Sequence, residues 1–322
     1  MMGHSPEEGL LLVCIATAFE EVDNTVRFYA IMKKMESGEM RQKPRILLLG
    51  SAGYLGKPLM AQLQQTSYVV PAHRTWAYFA DSHYYDFWTD DIHSLVEYHQ
   101  IDMVVIAANM AYEAAVPACS FTLFQQRVEQ LIRGCQQCRL IYVSSDGIFD
   151  GKKGNYTESD LPTPITLYGR NLQCFEQTVQ RLCSDYCIVR PSYLYGYSFS
   201  HIDHRLSYVR AQLLAGEQLT NFTDMIKSPM EVNQVAKAIA LLACSEYVGI
   251  VHVAGNAMSV YDFYRKAMDS LDIPLEGLHP APMPTTLLHP KDTSLNITLM
   301  KQLTGIEPLP ICVALKAGVE RT

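Results

Sequence analysis

The sequence predicts an α/β protein built on a doubly wound parallel sheet, and three observations predict it. Six short, unbroken apolar runs recur along the chain, longer amphipathic stretches separate them, and a glycine-rich turn follows the first run directly. Parallel strands covered by helices on both faces read as continuous apolar runs rather than alternating ones. Strands separated by helical segments in this way build α/β crossovers.

The runs lie at residues 46–49, 68–70, 103–108, 140–143, 187–189 and 250–253. Before them, residues 1–43 read as a helical extension. Ser5-Pro6-Glu7-Glu8 combines an N-cap serine, proline at the first helical position and glutamate at the third, and Ser37-Gly38 can stop that helix. Its apolar content suits docking on the main body, on a second copy in a homodimer, or on a partner enzyme. A dinucleotide-binding domain is expected over residues 44–190 and 231–254, with a smaller substrate lobe over 191–230 and 255–322. The lobe is marked by connections at Pro280, Pro282, Pro284 and Pro290. A helix is expected over 232–244, with apolar residues at 232, 235, 239 and 242.

Composition excludes several classes. The 11 Phe, 19 Tyr and 2 Trp need an interior or a ligand to cover them, which argues against disorder. With 26 Lys and Arg against 33 Asp and Glu, the net charge is −7, which offers no general surface for a nucleic-acid backbone. No apolar run reaches the roughly 20 residues of a membrane span, and no basic segment precedes the run at 10–19. Nine cysteines, an odd number scattered through a long chain, fit a cytoplasmic location. Cys135 and Cys138 form a lone C-x-x-C without a second pair at zinc spacing, so no metal is expected. His201 and His204 read as part of a polar loop.

Gly50-Ser51-Ala52-Gly53-Tyr54-Leu55-Gly56 stands between the first strand and a helix. In that setting Gly50, Gly53 and Gly56 let the chain turn sharply, while the amides around Tyr54 and Leu55 and the helix dipole meet a diphosphate. A nicotinamide dinucleotide is the expected ligand. About 20 residues on, where such a fold places an acid on the ribose of NAD, the second strand ends in Arg74. A cation there suits a 2′-phosphate, so NADP(H) is expected ahead of NAD(H).

The stretch Leu140-Ile141-Tyr142-Val143-Ser144-Ser145-Asp146-Gly147-Ile148-Phe149-Asp150-Gly151, followed by Tyr168-Gly169-Arg170, resembles the extended short-chain dehydrogenase/reductases, most closely the dTDP-4-dehydrorhamnose reductase family. Further matches are Arg190-Pro191-Ser192-Tyr193-Leu194-Tyr195-Gly196, Ser228-Pro229, the segment 249–255 and Lys291-Asp292-Thr293-Ser294-Leu295-Asn296. The resemblance runs from about residue 45 onward and implies a Rossmann-type sheet. It implies that Ser145 orients a substrate carbonyl, that Tyr168 donates the proton, and that Ala107 and Ala108 line the cofactor.

One position departs from the pattern. The family carries a lysine one helical turn after the tyrosine, and here residue 172 is Leu. Leu172, Phe175, Val179 and Leu182 form an apolar stripe, so this side chain is expected in the core. Tyr29-x-x-x-Lys33 lies upstream of the glycine turn, in the wrong order to serve. Arg170 points away from the required direction, whereas Lys152 and Lys153 could supply the cation if their loop folds over the site.

Two readings follow. In one the chain is an NADP(H)-dependent reductase of a keto group on a nucleotide-linked sugar, with Arg205, Arg210 and Lys227 available for the nucleotide phosphates. In the other it is a non-catalytic, nucleotide-binding regulatory or scaffolding subunit of the same fold, as the beta subunit of methionine adenosyltransferase is. Epimerisation or dehydration through transient oxidation is a third use of this fold, but it depends on a phenolate that the missing lysine disfavours.

Overall fold

The computed structural model describes residues 43–116, 119–199 and 201–319. The expected Ser5 helix and the Tyr29 and Lys33 pair lie outside the described residues.

Each expected apolar run is a strand of one sheet. The strands are β1 (Arg45–Leu49), β2 (Tyr68–His73), β3 (His83–Tyr84), β4 (Met103–Ile106), β5 (Arg139–Val143), β6 (Tyr186–Pro191) and β7 (Gly249–Val253). They pair in the order β7-β6-β5-β4-β1-β2-β3, every pairing parallel. The seventh strand, β3, escapes a sequence reading because two residues at the sheet edge carry no periodicity. The order reverses between β1 and β4, and a doubly wound sheet opens its ligand crevice at such a switch point, beyond the carboxyl ends of the strands.

The helices are α1 (Gly56–Leu63), α2 (His93–His99), α3 (Met110–Glu113), α4 (Phe121–Cys135), α5 (Leu167–Leu182), α6 (His204–Leu214), α7 (Val232–Ala243), α8 (Val260–Ser270), α9 (Thr298–Thr304) and α10 (Ile311–Val319). Side chains alternate across the pleat. Leu47, Leu49, Val104, Ile106, Leu140 and Tyr142 therefore face α4 and α5, where Phe124, Val128, Leu131, Leu172, Phe175 and Val179 meet them. Ile46, Leu48, Val105, Ile141, Val189 and Val251 face the other way, against Leu59 and Leu63 of α1 and Val235 and Ile239 of α7. A separate core beyond the strand ends joins Leu206, Val209 and Leu213 of α6 to Phe263, Ala267 and Met268 of α8 and Leu315 of α10.

One polar cluster interrupts the sheet core. Arg190 on β6 donates Nε and Nη2 to the two carboxylate oxygens of Glu176 on α5, at 2.9 and 2.6 Å, and Ser144 donates to Glu176 at 2.6 Å. The two charged side chains are 1% and 2% exposed, so each is retained only because the other satisfies it. The guanidinium also lies 5.2 Å from the Phe149 ring centre. The network ties the helix carrying Tyr168 to the strand that ends in Pro191 and leads into Ser192. Replacing Arg190→Met is expected to cost about 3–5 kcal/mol in urea unfolding, because it strands a buried carboxylate. The paired change Arg190→Met with Glu176→Leu is expected to recover most of that loss.

Candidate functional site

A cleft of about 1010 Å³ opens over the carboxyl ends of β1, β2, β4 and β5. At one end lies the turn 50–56. Gly50 has φ +86°, and a Cβ there would stand 2.7 Å from the Ala108 amide nitrogen; a Cβ on Gly56 would collide with the Gly50 carbonyl. Only glycine lets β1, the turn and the start of α1 close on one another in this way. Leu55, at the N-cap of α1, offers no side-chain acceptor, so no side chain caps that helix end. Gly50, Gly53, Tyr54 and Leu55 line the cleft, with Ala107 and Ala108 at the end of β4. Gly56 lies just behind them as the first residue of α1. The Tyr54 hydroxyl donates to the Gly196 carbonyl at 2.9 Å, and burial pushes its phenol up from its ordinary pKa.

Arg74 follows β2 and lines the same end. Its Nη1 lies 2.5 Å from Oε2 of Glu113, the last residue of α3.

The other end is built on the turn after β5. Ser145 caps the 3-10 turn Asp146–Ile148, accepting from the Gly147 amide at 3.2 Å and donating to Asp146 Oδ1 at 3.0 Å. Thr166 caps α5 by accepting from the Gly169 amide at 3.0 Å. A Cβ on Gly169 would collide with the Gly147 carbonyl and lie 2.7 Å from Pro164 Cβ. Glycine after Tyr168 is thus what lets the first turn of α5 close onto the Ser145 turn. Tyr168 and Ser145 both line the cleft. Burial raises the Tyr168 phenol above its ordinary pKa, side-chain hydrogen bonds with Ser145 and Asn109 pull it part of the way back, and the Asp146 charge raises it again. The Tyr112 ring meets the Tyr168 ring edge-on, centroids 5.9 Å apart.

Asp146 is the most heavily bonded side chain of the site. Its Oδ2 accepts from Thr293 at 2.6 Å, Ser192 at 2.9 Å and Lys227 at 3.0 Å. Burial on its own would raise the carboxyl, but the Lys227 charge and these hydrogen bonds outweigh it and hold Asp146 below its ordinary pKa.

The structure separates the remaining candidates. Leu172 is 1% exposed and packs in the core with Phe175 and Val179. The loop lysines do not turn inward: Lys152 pairs with Asp150 at 3.4 Å and Lys153 with Asp160 at 2.5 Å, and neither lines the cleft. Arg170 is exposed. Lys227 does line the cleft, yet it is tied to Asp146 and to Thr293, at 2.8 Å. Arg205 lines the cleft, stacked 3.6 Å over the Tyr193 ring with Nη2 donating to the Leu194 carbonyl at 2.9 Å. Arg210 is exposed on α6 and lies outside the cleft lining, so the substrate role expected of it has no support in the geometry. Cys135 and Cys138 are buried, and no group of metal-ligating side chains occurs among the described residues. His204 reaches the cleft as the first residue of α6, and His201 lies in the short strand before it. No helix among the described residues is long and apolar enough to cross a membrane.

Sequence reasoning missed Asn109, Glu113 and the Asp146 cluster. Asn109 had a local signal, an Asn one residue ahead of a helix, where its side chain accepts from the Tyr112 amide.

The model of a family described as the RmlD substrate binding domain matches residues 44–322. A dTDP-4-dehydrorhamnose reductase of Aggregatibacter actinomycetemcomitans is 26% identical over 66% of this chain and 74% of its own. The methionine adenosyltransferase 2 subunit beta of Rattus norvegicus is 23% identical over 85% of this chain and 87% of its own. Among solved structures, the dTDP-4-dehydrorhamnose reductase of Bacillus anthracis in complex with NADP superposes with a TM-score of 0.72 at 20% identity, covering 87% of this chain and all (100%) of that one.

Substituting Lys227→Met is expected to destabilise the fold by about 3 kcal/mol at pH 7, because it leaves Asp146 buried without its cation. Asp146 is held low in the native protein, so its stabilising charge is present above the unfolded carboxyl value of about 3.9 and lost as pH falls through the native one. In the variant, burial raises the carboxyl and protonation relieves it earlier. Urea unfolding should therefore show a smaller deficit at pH 4 than at pH 7.

Proposed function

This chain belongs to the RmlD substrate binding domain family, and on that footing we propose that it is an NADP(H)-dependent reductase of a keto group on a nucleotide-linked sugar. The observation that carries the reading is that Ser145 and the half-buried Tyr168, whose phenol is held above its ordinary pKa, line one end of a cleft whose other end is the glycine turn.

The residues present suit a dinucleotide. The turn 50–56 is packed too tightly for any side chain at Gly50 or Gly56, and the uncapped first turn of α1 leaves its amides for an anion. Ala107 and Ala108 would lie along the dinucleotide, and Arg74 is the cation at the strand end where a 2′-phosphate is read. When bound, the nicotinamide supplies the hydride to the carbonyl carbon.

The chain's own groups handle the oxygen. Ser145 donates a hydrogen bond to the carbonyl, exchanging Asp146 for the substrate, and Tyr168 transfers its hydroxyl proton as negative charge develops there. Reduction needs a neutral phenol and alcohol oxidation a phenolate. Burial and the Asp146 charge both favour the neutral form, and Leu172 provides no ammonium to reverse that. The site is therefore biased towards reduction. Arg205 and Lys227 are the cations at the substrate side of the cleft, with Lys227 acting chiefly through Asp146.

Leu172 supports a second reading, a non-catalytic nucleotide-binding regulatory or scaffolding subunit, and a subunit of an adenosyltransferase is among the matched relatives. Following NADPH consumption with dTDP- and UDP-linked keto sugars separates the two. Under the reductase reading, Tyr168→Phe lowers kcat by about 10²-fold or more while the NADPH Kd is unchanged. Because the native phenol stays protonated past its ordinary value near 10, the wild-type rate of reduction shows no alkaline loss due to Tyr168 below about that pH. Absence of turnover with every such sugar, alongside intact NADPH binding, would leave the subunit reading.

A further inference from the structure

Two carboxylates stand among the residues lining the cleft, Asp146 and Glu113. Lys227 neutralises Asp146 at the substrate end, with Thr293 and Ser192 completing its shell. Glu113 stands at the other end and is matched by Arg74 alone, Oε2 to Nη1 at 2.5 Å, the side chains 42% and 36% exposed.

The position of this pair bears on which dinucleotide a doubly wound fold accepts. An acid at the end of the second strand reads an unphosphorylated ribose, and a cation at that position reads a 2′-phosphate. Here the cation occupies that position, and an acid faces it from α3, 39 residues further along the chain. A carboxylate and a phosphate ester compete for the same guanidinium fork. A carboxylate also repels a phosphate placed beside it, but accepts a hydrogen bond from a free hydroxyl.

We infer that Glu113 is the residue that sets cofactor preference in this cleft: by engaging Arg74 and opposing a second anion there, it narrows the gap between the 2′-phosphorylated and unphosphorylated dinucleotides, so that both are bound. The inference rests on the dinucleotide reading of the preceding subsection and adds to it the group that tunes selectivity. The pair is half-exposed, so water and salt screen it and a competing phosphate can part it. Arg74 therefore remains a reader of the 2′-phosphate, though a tempered one.

Isothermal titration of NADPH and NADH into the full chain tests this. The wild type, Glu113→Gln, Glu113→Ala and Arg74→Gln are compared at one fixed ionic strength, with folding of each verified by circular dichroism. Both Glu113 variants should tighten NADPH by roughly three- to fivefold, the scale of one half-exposed charge pair, and leave NADH unchanged or weaker, so that the affinity ratio rises. Arg74→Gln should weaken NADPH and bring the two affinities together. Raising the salt should shrink the advantage of Glu113→Gln. An affinity ratio equal to that of the wild type in both Glu113 variants, with both dinucleotides binding, would overturn this inference alone. Binding of neither dinucleotide to the folded wild type would overturn the dinucleotide reading and this inference with it.

Discussion

The Asp146 carboxylate is the point at which four segments of the chain meet. Its own turn follows β5, Ser192 follows β6, Lys227 precedes α7, and Thr293 comes from the loop before α9. A buried carboxylate is tolerated only when charge and hydrogen bonds replace the water it has lost. Satisfying Asp146 therefore fixes where the other three segments stand, and it places the adjoining Ser145 hydroxyl within reach of Tyr168. Orientation of the two groups proposed to act on a carbonyl follows from this one desolvated charge.

Lys227 also changes the meaning of Leu172. A lysine on α5 would bring an uncompensated positive charge towards the phenol. Lys227 brings its charge from another segment already paired with Asp146, so the combination is close to neutral, and the Asp146 carboxylate is what the Tyr168 oxygen experiences. Leu172, in turn, completes the packing of α5 against β5 through Phe175 and Tyr142, whose rings stack with centroids 4.1 Å apart. The helix face that would have carried the ammonium has become ordinary core.

What the sequence revealed and what it hid divide along physical lines. The six longer strands and the Leu172 stripe follow from local periodicity, and the glycine turn follows from backbone sterics within a few residues. They were legible because neighbours in sequence determine them. The Asp146 cluster joins partners 46, 81 and 147 residues away, and nothing in the local pattern around Lys227 or Thr293 announces that union. Arg205 and Arg210 looked alike as candidate cations in the sequence, and the structure puts both on α6. Five residues turn a helix well past one full revolution, so only Arg205 reaches the cleft, while Arg210 faces water. Glu113 was hidden for a similar reason, since its meaning comes from Arg74 on a different crossover.

The glycine turn and the Ser145–Tyr168 pair answer to different constraints, which governs how each bears on function. Gly50 and Gly56 are required by backbone packing against Ala108 and against each other, whether or not any chemistry takes place. Their presence therefore speaks for the shape of the cradle and is silent on turnover. The close approach of α5 to the Ser145 turn is different. The sheet core does not need it, because Leu172, Phe175 and Val179 already anchor that helix. Yet Gly169 permits it, and the phenol it brings to Ser145 is part-buried in a cleft. Any half-buried tyrosine hydroxyl gains from a hydrogen-bond partner, but a proton donor also gains its orientation and its protonated state from a hydroxyl neighbour, an asparagine and a tethered carboxylate together. This difference is why the reductase reading stands ahead of the subunit reading despite the leucine at 172.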